Sequence, residues 1–239
     1  MEVDPEVVQT DIILVKEALE NMDEQEIFQY LPKHRRCAAH TVNLLASKDT
    51  EKVPGWSAHP RPAFNKPAAK AQGIWNAQAR KTVTANDIKT ALGKKLLTPC
   101  ITRWNSSYDA YKCLLTEMLD IEKRNKLNQI CQRQYPQPLP HITEDDVQIW
   151  SDYVKVTAPL AVCLDTLQGE DKAYMGCLLP HLQVLKDSLE ALSRDDTIIH
   201  AHNLVISLLR KPKGFDGRFV IFTIILSTYL MYCIELKFN

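Results

Sequence analysis

The sequence has few glycines, and none of them belongs to a phosphate-binding motif. Only 7 of its 239 residues are glycine, and neither G-x-G-x-x-G nor G-x-x-x-x-G-K followed by Ser or Thr occurs. Both motifs hold nucleotide phosphates on backbone N–H groups at the start of a helix. The sequence therefore argues against a nucleotide-binding domain of the Rossmann or P-loop type.

Paired cysteines are also missing. The 7 cysteines are odd in number, they are scattered from position 37 to position 233, and no two of them form C-x-x-C. The N-terminal stretch is acidic and has no signal-peptide pattern. We expect reduced thiols in an intracellular protein, most of them packed as small buried hydrophobes.

Net charge is absent from the whole chain but not from its parts. Residues 1–30 contain nine acids and one lysine, a net charge of −8, whereas residues 52–103 contain ten bases and only Asp87, a net charge of +9. A basic block of this length indicates nucleic acid as a partner. The alternative is a solvated helical face that pairs with the acidic N-terminal segment. The candidate nucleic-acid contacts in the block are Arg80, Lys81, Lys94 and Lys95.

The composition is that of a folded protein, and the spacing of its apolar residues is helical. Hydrophobic residues make up 45% of the chain and charged residues 24%, which excludes a chain that is disordered throughout. Apolar stripes with spacings of three and four residues predict helices. The predicted helices lie over 5–22, from about 38, over 69–93, over about 105–121, from 143, over 175–193 and over 196–210. Four prolines within 53–68 predict a linker or mobile loop there.

Single residues mark several predicted helix ends. Gly93 is the predicted stop of the helix over 69–93. Asn105 or Ser106 is predicted to cap the helix that follows. Thr143 and Asp146 have the spacing of a capping box, with Asp in place of Glu. The fold class predicted from these patterns is mainly α.

The C-terminal segment differs from the rest of the chain. Sixteen residues from Phe219 to Ile234 are uncharged and mostly apolar. As a helix they would measure about 24 Å, which is short of the hydrocarbon core of about 30 Å unless flanking residues are added. Three interpretations stay open: a membrane anchor over 215–236, a buried strand or hairpin, and an exposed tail of a truncated or alternatively spliced product.

Cys37 and His40 have the spacing of half a zinc site. His34 precedes Cys37 by three residues, but no second Cys/His pair with ligand spacing occurs. A structural zinc ion takes four protein ligands. We therefore expect no metal here, and instead a packed Cys37 and a hydrogen-bonded His40 at the start of a helix.

Arg103 and Trp104 are the best local candidates for contacts with nucleic acid. They end the basic block and directly precede a predicted helix, whose first N–H groups favour a phosphate oxygen. Arg103 would add a bidentate contact to phosphate, and Trp104 offers a face on which an unstacked base can lie. The alternative is that Trp104 anchors the helix to the core while Arg103 pairs with a carboxylate.

Three segments of the chain together resemble a known family. They are LPKHRRCAAHTVNLLAS (31–47), TPCITRWNSSYDAY (98–111) and LDTLQGEDKAYMGCLLPHLQVLK (164–186). They are similar to hAT-superfamily transposases, and among these to the domesticated, zinc finger BED domain-containing type. The resemblance implies a ribonuclease H-like core that is interrupted by a large all-helical insertion. This chain would be mainly the insertion, with the sheet of the core largely missing.

The resemblance assigns expectations to individual residues. Cys37 and His40 match the Cys/His pair that the family has near its catalytic core. Arg103 and Trp104 match its Arg-Trp pair, in which the Trp is associated with stabilising a flipped base beside a DNA hairpin. The three catalytic acids, which hold two divalent metals for phosphoryl transfer, have no match in this sequence. The resemblance therefore implies a protein that is not an enzyme and needs no cofactor.

Two functional hypotheses follow from the sequence. The first is a non-catalytic, transposable element-derived protein of the nucleus or cytoplasm that binds DNA through residues 52–104. The second is a helical scaffold that binds protein partners, with the C-terminal tail as a membrane anchor. In both, residues 1–30 form an acidic N-terminal helix, residues 31–211 the transposase-like helical region, and residues 212–239 the apolar tail.

Overall fold

The computed structural model describes residues 38–58, 62–100, 104–133, 139–168 and 175–210. Most of these residues are helical, and none of them lies in a β-strand, which confirms the predicted mainly α class. The predicted acidic helix over 5–22 and the apolar tail over 212–239 lie outside the described residues.

Eight α-helices form this part of the chain. They are α1 (Ala38–Leu44), α2 (Asn65–Arg80), α3 (Thr82–Leu92), α4 (Trp104–Met118), α5 (Ile121–Gln132), α6 (Glu144–Gln168), α7 (Met175–Leu192) and α8 (His202–Arg210). A π-helical turn over Leu45–Asp49 and a 3₁₀ turn over Thr50–Lys52 continue α1.

The longest helix, α6, lies at the centre of the packing. It contacts α1, α2, α4 and α7, while α3 packs on α2 and α5, and α8 packs on α7 and the π-helical turn. Twelve residues of α6 are buried, among them Trp150, whose ring nitrogen donates a hydrogen bond of 3.2 Å to the Pro67 carbonyl. Pro159 lies inside this helix. The apolar face of α6 is thus covered on several sides, as a helix with this much buried surface requires.

The proline-rich segment is not a mobile linker where the structure describes it. Trp56 is 1% exposed, and its ring stacks on Phe64 with centroids 4.8 Å apart. Phe64 in turn stacks on Tyr153 at 4.8 Å. Because Pro67 is tolerated in the first turn of a helix, α2 begins at Asn65, inside the segment predicted as a loop. The prolines shape a folded connection that inserts two aromatic rings into the core.

The single helix predicted over 69–93 is wrong, because the chain breaks at Lys81. The backbone of Lys81 is extended, with φ −129° and ψ 114°, so α2 ends at Arg80 and α3 begins at Thr82. The apolar stripe continues across the break and hides it from a periodicity search. The predicted stop at Gly93 is confirmed: its φ is +80°, and its N–H donates to the Lys89 carbonyl at 2.9 Å.

A second break separates α4 from α5. The sequence pattern extends the helix to Ile121, but Ile121 is 63% exposed. The Asp120 carboxylate accepts hydrogen bonds from the N–H groups of Glu122 and Lys123, at 2.9 and 3.2 Å, and so starts a new helix. The predicted caps Asn105 and Ser106 are also wrong, since both lie inside α4.

The capping box at the start of α6 is confirmed. The Asp146 carboxylate accepts hydrogen bonds from the N–H and hydroxyl of Thr143, both at 2.7 Å, and the Asp146 N–H donates to the Thr143 hydroxyl at 3.3 Å. Lys70 of α2 also reaches this carboxylate, at 2.5 Å. One buried acid therefore caps α6 and joins it to α2.

Of the last two helices, one is predicted correctly and the other begins later than predicted. The stripe that predicts a helix over 175–193 is confirmed by α7. The next helix was expected from 196, but α8 begins at His202. The buried Asp152 carboxylate of α6 accepts the N–H groups of Ile199 and His200, at 2.9 and 2.6 Å, and holds residues before α8 in a non-helical connection. His202, the first residue of α8, is exposed.

Candidate functional site

The candidate basic residues lie around the two ends of α3. Arg80 ends α2, and Lys81 forms the break before α3. Lys94 and Lys95 follow Gly93, at the start of the connection to α4. All four side chains are exposed. Arg103 lies outside the described residues, as does the side chain of Trp104, whose backbone begins α4.

Gln78 holds the start of the connection to α4 against the end of α2. Its side-chain amide donates to the Leu96 carbonyl at 2.9 Å, and its amide oxygen accepts the Leu96 N–H at 2.9 Å. This pair of bonds fixes Leu96, which is 4% exposed, beside the last turn of α2. Lys95 is therefore held close to the end of α2 that contains Arg80. We name Arg80, Lys81, Lys94 and Lys95 the cationic edge.

Lys94 is not an isolated cation. Its ammonium group lies 2.8 Å from Oε1 of Glu117, and the Lys123 ammonium group lies 2.7 Å from Oε2 of the same carboxylate. The Glu117 side chain is 6% exposed, whereas the side chains of Lys94 and Lys123 are 49% and 36% exposed. One nearly buried carboxylate therefore holds the start of the connection, the end of α4 and the start of α5 together.

The pKa values of Lys94 and Glu117 are shifted by this arrangement. The hydrogen bond to Glu117 raises the pKa of Lys94. Desolvation alone would raise the pKa of Glu117, but the hydrogen bonds from Lys123 and Lys94 outweigh it, so the pKa lies below its ordinary value. Both positive charges also lie near the C-terminal end of α4, where the helix dipole favours cations. Sequence reasoning missed Glu117, because nothing in the apolar pattern of α4 sets this acid apart.

Lys94 of the cationic edge lies far from the backbone of Trp104. The connection runs antiparallel to α4: Lys94 pairs with Glu117 near the end of the helix, whereas the Cys100 N–H donates to the Ser106 hydroxyl near its start, at 2.6 Å. Glu117 follows Trp104 by thirteen residues, or about 20 Å along a helix axis. Lys94 and the backbone of Trp104 therefore lie at opposite ends of α4.

The other bases of the block divide into paired and exposed groups. Lys70 is committed to the fold, because it contacts Asp146 and donates to the His141 carbonyl at 2.9 Å. Lys52, Lys66 and Lys89 are exposed. Lys89 lies in the last turn of α3, where the helix dipole stabilises a positive charge. Of the described bases in 52–103, all except Lys70 have exposed side chains.

The Cys/His motif is placed only in part. Cys37, which was predicted to be packed, lies outside the described residues, and His40 lies in the first turn of α1 with its side chain exposed. Within the described ranges, no three His, Cys, Asp or Glu side chains are grouped closely enough to hold a metal ion. Four described cysteines are free thiols; burial raises the pKa of Cys131 and of Cys163 to about 11, and Cys100 is exposed.

A second surface feature is a groove of about 530 Å³ between α6 and α7. Val162 and Val184 line it and are 64% and 63% exposed. The ion pair between Lys155 and Asp195, with nitrogen and oxygen 2.6 Å apart, lies at the groove, and the hydrogen bond from Lys155 is the main reason that the pKa of Asp195 falls to about 2. Sequence analysis assigned no role to this surface.

The chain was compared with protein-family models, curated proteins and solved structures, and none of them matches it. The likeness to hAT transposases therefore depends on the three sequence segments alone. Among the helices of the described ranges, none is both long and apolar enough to cross a membrane.

Proposed function

We propose that this chain binds nucleic acid through the cationic edge. The observation that supports the proposal best is the pair of hydrogen bonds between Gln78 and Leu96, which holds the exposed Lys95 close to the end of α2 that contains the exposed Arg80. Asp87 is the sole acid in residues 52–103, so little negative charge opposes them. Cations clustered in this way bind phosphates and release counterions, largely without regard to base sequence.

We further propose that the chain derives from a hAT-type transposase and corresponds to the helical insertion of its ribonuclease H-like core. The motifs around Cys37 and His40 and around Arg103 and Trp104 support this origin, and the mainly helical fold agrees with it. The family's catalytic acids have no counterpart at matching positions of this sequence, so the proposed protein does not transfer phosphoryl groups. The proposed role is binding alone.

The separation along α4 sets the size of the proposed ligand. A nucleic acid that contacts the cationic edge and also Arg103 and Trp104 must extend over about 20 Å, which corresponds to about six base pairs of duplex. In such a complex the edge contacts backbone phosphates, while Trp104 stacks on an unpaired base at the other end. A DNA hairpin offers both features, since its stem is a duplex and its loop has unstacked bases.

Fluorescence anisotropy with a labelled DNA hairpin tests the proposal. Binding by the full chain should weaken steeply between about 50 and 200 mM salt. Replacing Arg80, Lys81 and Lys95 together by Ala should lower the slope of log K against log salt by about 2 to 3, because each lost phosphate contact removes about 0.9. Replacing Arg103 and Trp104 by Ala should instead reduce the preference for the hairpin over a plain duplex.

Lys48→Ala is the matched control, since Lys48 is an exposed lysine whose ion pair with Glu51 is also exposed. It lies on the continuation of α1, which packs on α6 and α8 rather than on α3 or α5. The control should bind as the unchanged chain does. Binding that is absent, or that ignores both salt and the triple substitution, would contradict the proposal.

The groove between α6 and α7 favours a second candidate, a scaffold that binds a protein partner. Two exposed valines beside an open apolar groove are typical of an interaction surface. A photo-crosslinking residue at position 184 should then give a discrete adduct, and the same residue at the exposed position 187 should not. For the apolar tail, fractionation of the chain with and without residues 215–239 tests membrane association, and equal distribution of both forms would count against an anchor.

A further inference from the structure

We propose that the nucleic-acid surface extends beyond the basic block onto α5, where Lys123, Lys126 and Arg133 continue the cationic edge. The inference rests on the proposed function and adds a binding element that lies outside residues 52–104. It depends on the position of Glu117 and on the helical phase of α5.

Glu117 fixes where α5 lies relative to the edge. Its two carboxylate oxygens bind the ammonium groups of Lys94 and Lys123, at 2.8 and 2.7 Å. The first lysine belongs to the edge and the second to the first turn of α5, so the two cations lie on either side of one carboxylate. Packing of α3 against α5 supports the same continuity. The edge therefore meets α5 directly.

Both lysines keep the ability to bind a phosphate. Two positive charges share one negative charge, which leaves the group of three with an excess of one positive charge. An ammonium group has three N–H donors, and Glu117 uses one or two of them. Because the side chains of Lys94 and Lys123 are 49% and 36% exposed, the remaining donors can reach a ligand from solvent.

The phase of α5 places further cations on the side of Lys123. The face that packs into the core, through Arg124, Leu127, Asn128 and Cys131, is centred about a quarter of a turn from Lys123 and points away from Lys126 and Arg133. Lys126 follows Lys123 by three residues, so it lies on the same face, and its side chain is exposed. Arg133, at the end of the helix, follows Lys126 by seven residues, or two turns, and is also exposed. These residues form a row of about 15 Å along the axis.

The acids nearby do not cancel this row. Glu144 pairs with Arg124, whose side chain is 10% exposed and faces the core. Asp120 accepts the N–H groups of Glu122 and Lys123 as the cap of α5. Glu122 precedes Lys126 by four residues, yet no ion pair joins these two described side chains. Three cations therefore oppose the charges of Asp120 and Glu122 and half of the Glu117 charge, which leaves a small excess of positive charge along the row.

Binding of the labelled DNA hairpin to full-length variants tests the inference. Replacing Lys126 and Arg133 together by Ala should weaken binding by about tenfold at low salt and lower the salt slope by about 2, without changing the urea midpoint. Lys48→Ala, which changes one charge on the surface of another helix, should bind as the unchanged chain does.

Glu117→Gln provides an independent measurement in the opposite direction. It removes the competing negative charge and releases Lys94 and Lys123, so the salt slope should become steeper by about 1. A urea titration of the same sample establishes that the variant is folded under the binding conditions. If this variant unfolds, the Lys126 and Arg133 pair of substitutions alone decides the inference.

The outcomes separate the inference from the proposed function. If the unchanged chain binds the hairpin and the substitutions at Arg80, Lys81 and Lys95 weaken binding while those at Lys126 and Arg133 do not, the extension onto α5 is overturned and the proposed function stands. If both sets weaken binding, the extension is supported. If the unchanged chain does not bind at all, both are overturned.

Discussion

Charged side chains differ between two regions: the helices packed around α6, which we call the body, and the cationic edge. In the body, Asp146 and Asp152 are 4% and 1% exposed, and each accepts several hydrogen bonds that join separate segments. At the edge, the four cations are exposed, and one carboxylate, Glu117, holds Lys94 of the edge together with Lys123 of α5. Charge in the body joins separate segments of the fold, whereas the cations of the edge are exposed to solvent. Stability and binding should therefore respond to different substitutions.

The sharpest test of this contrast is Trp150→Ala against Lys95→Ala. Trp150 is fully buried and contacts α2 through the Pro67 carbonyl, so its loss leaves a large cavity and should lower the free energy of unfolding by about 3–5 kcal/mol. Lys95 is exposed, and its loss should change that free energy by less than about 0.5 kcal/mol. Urea denaturation measures both. Comparable losses from the two variants would mean that the edge is part of the core.

Removal of a buried acid should have the next largest effect. Asp152→Ala leaves the N–H groups of Ile199 and His200 without their acceptor, and should cost about 2–3 kcal/mol. Hydrogen exchange at these two amides should accelerate more than exchange at the amides of α6. The control is Asp196→Ala, an exposed acid four residues before His200, which should leave both the stability and the two exchange rates nearly unchanged.

Glu117 is nearly buried, as the acids of the body are, yet it binds a cation of the edge. Its contribution to the free energy of unfolding should depend on pH. Because its pKa is lowered in the folded chain, its contribution to stability is present above the ordinary glutamate pKa of about 4.3 and is lost as the pH falls through the lowered value. The raised pKa of Lys94 keeps the pair intact until the pH rises past about 10.

Glu117→Gln should consequently cost about 1–3 kcal/mol near neutral pH, and the difference from the unchanged chain should shrink below about pH 4. Urea titrations at several pH values provide the comparison. A difference that stays constant down to about pH 2 would show that the carboxylate charge contributes nothing to stability.

The sequence predicts the body better than the edge, for physical reasons. Helices α6 and α7 present long apolar stripes at helical spacing, and burial of that surface is what forms them. The breaks at Lys81 and Asp120 are invisible in the same pattern, because the stripe continues past them. The contacts that shape the edge, from Gln78 to Leu96 and from Lys94 to Glu117, join residues far apart in the chain, so no local pattern indicates them.

The smallest expected effect concerns Gly93, where the body and the edge meet. Its φ of +80° is a conformation that L residues rarely adopt, while a Cβ added there would meet no atom within 4 Å. Gly93→Ala should therefore cost only the backbone strain, about 1–2 kcal/mol, and Gly93→Asn should cost less because Asn tolerates the left-handed region. Urea denaturation measures the order Gly, Asn, Ala. Equal losses for Asn and Ala would indicate that space, not the backbone, limits this position. Gly93 ends α3 and directs the chain toward Lys94. Either variant that stays folded should therefore also weaken binding of the DNA hairpin, but by less than the triple substitution at the edge does.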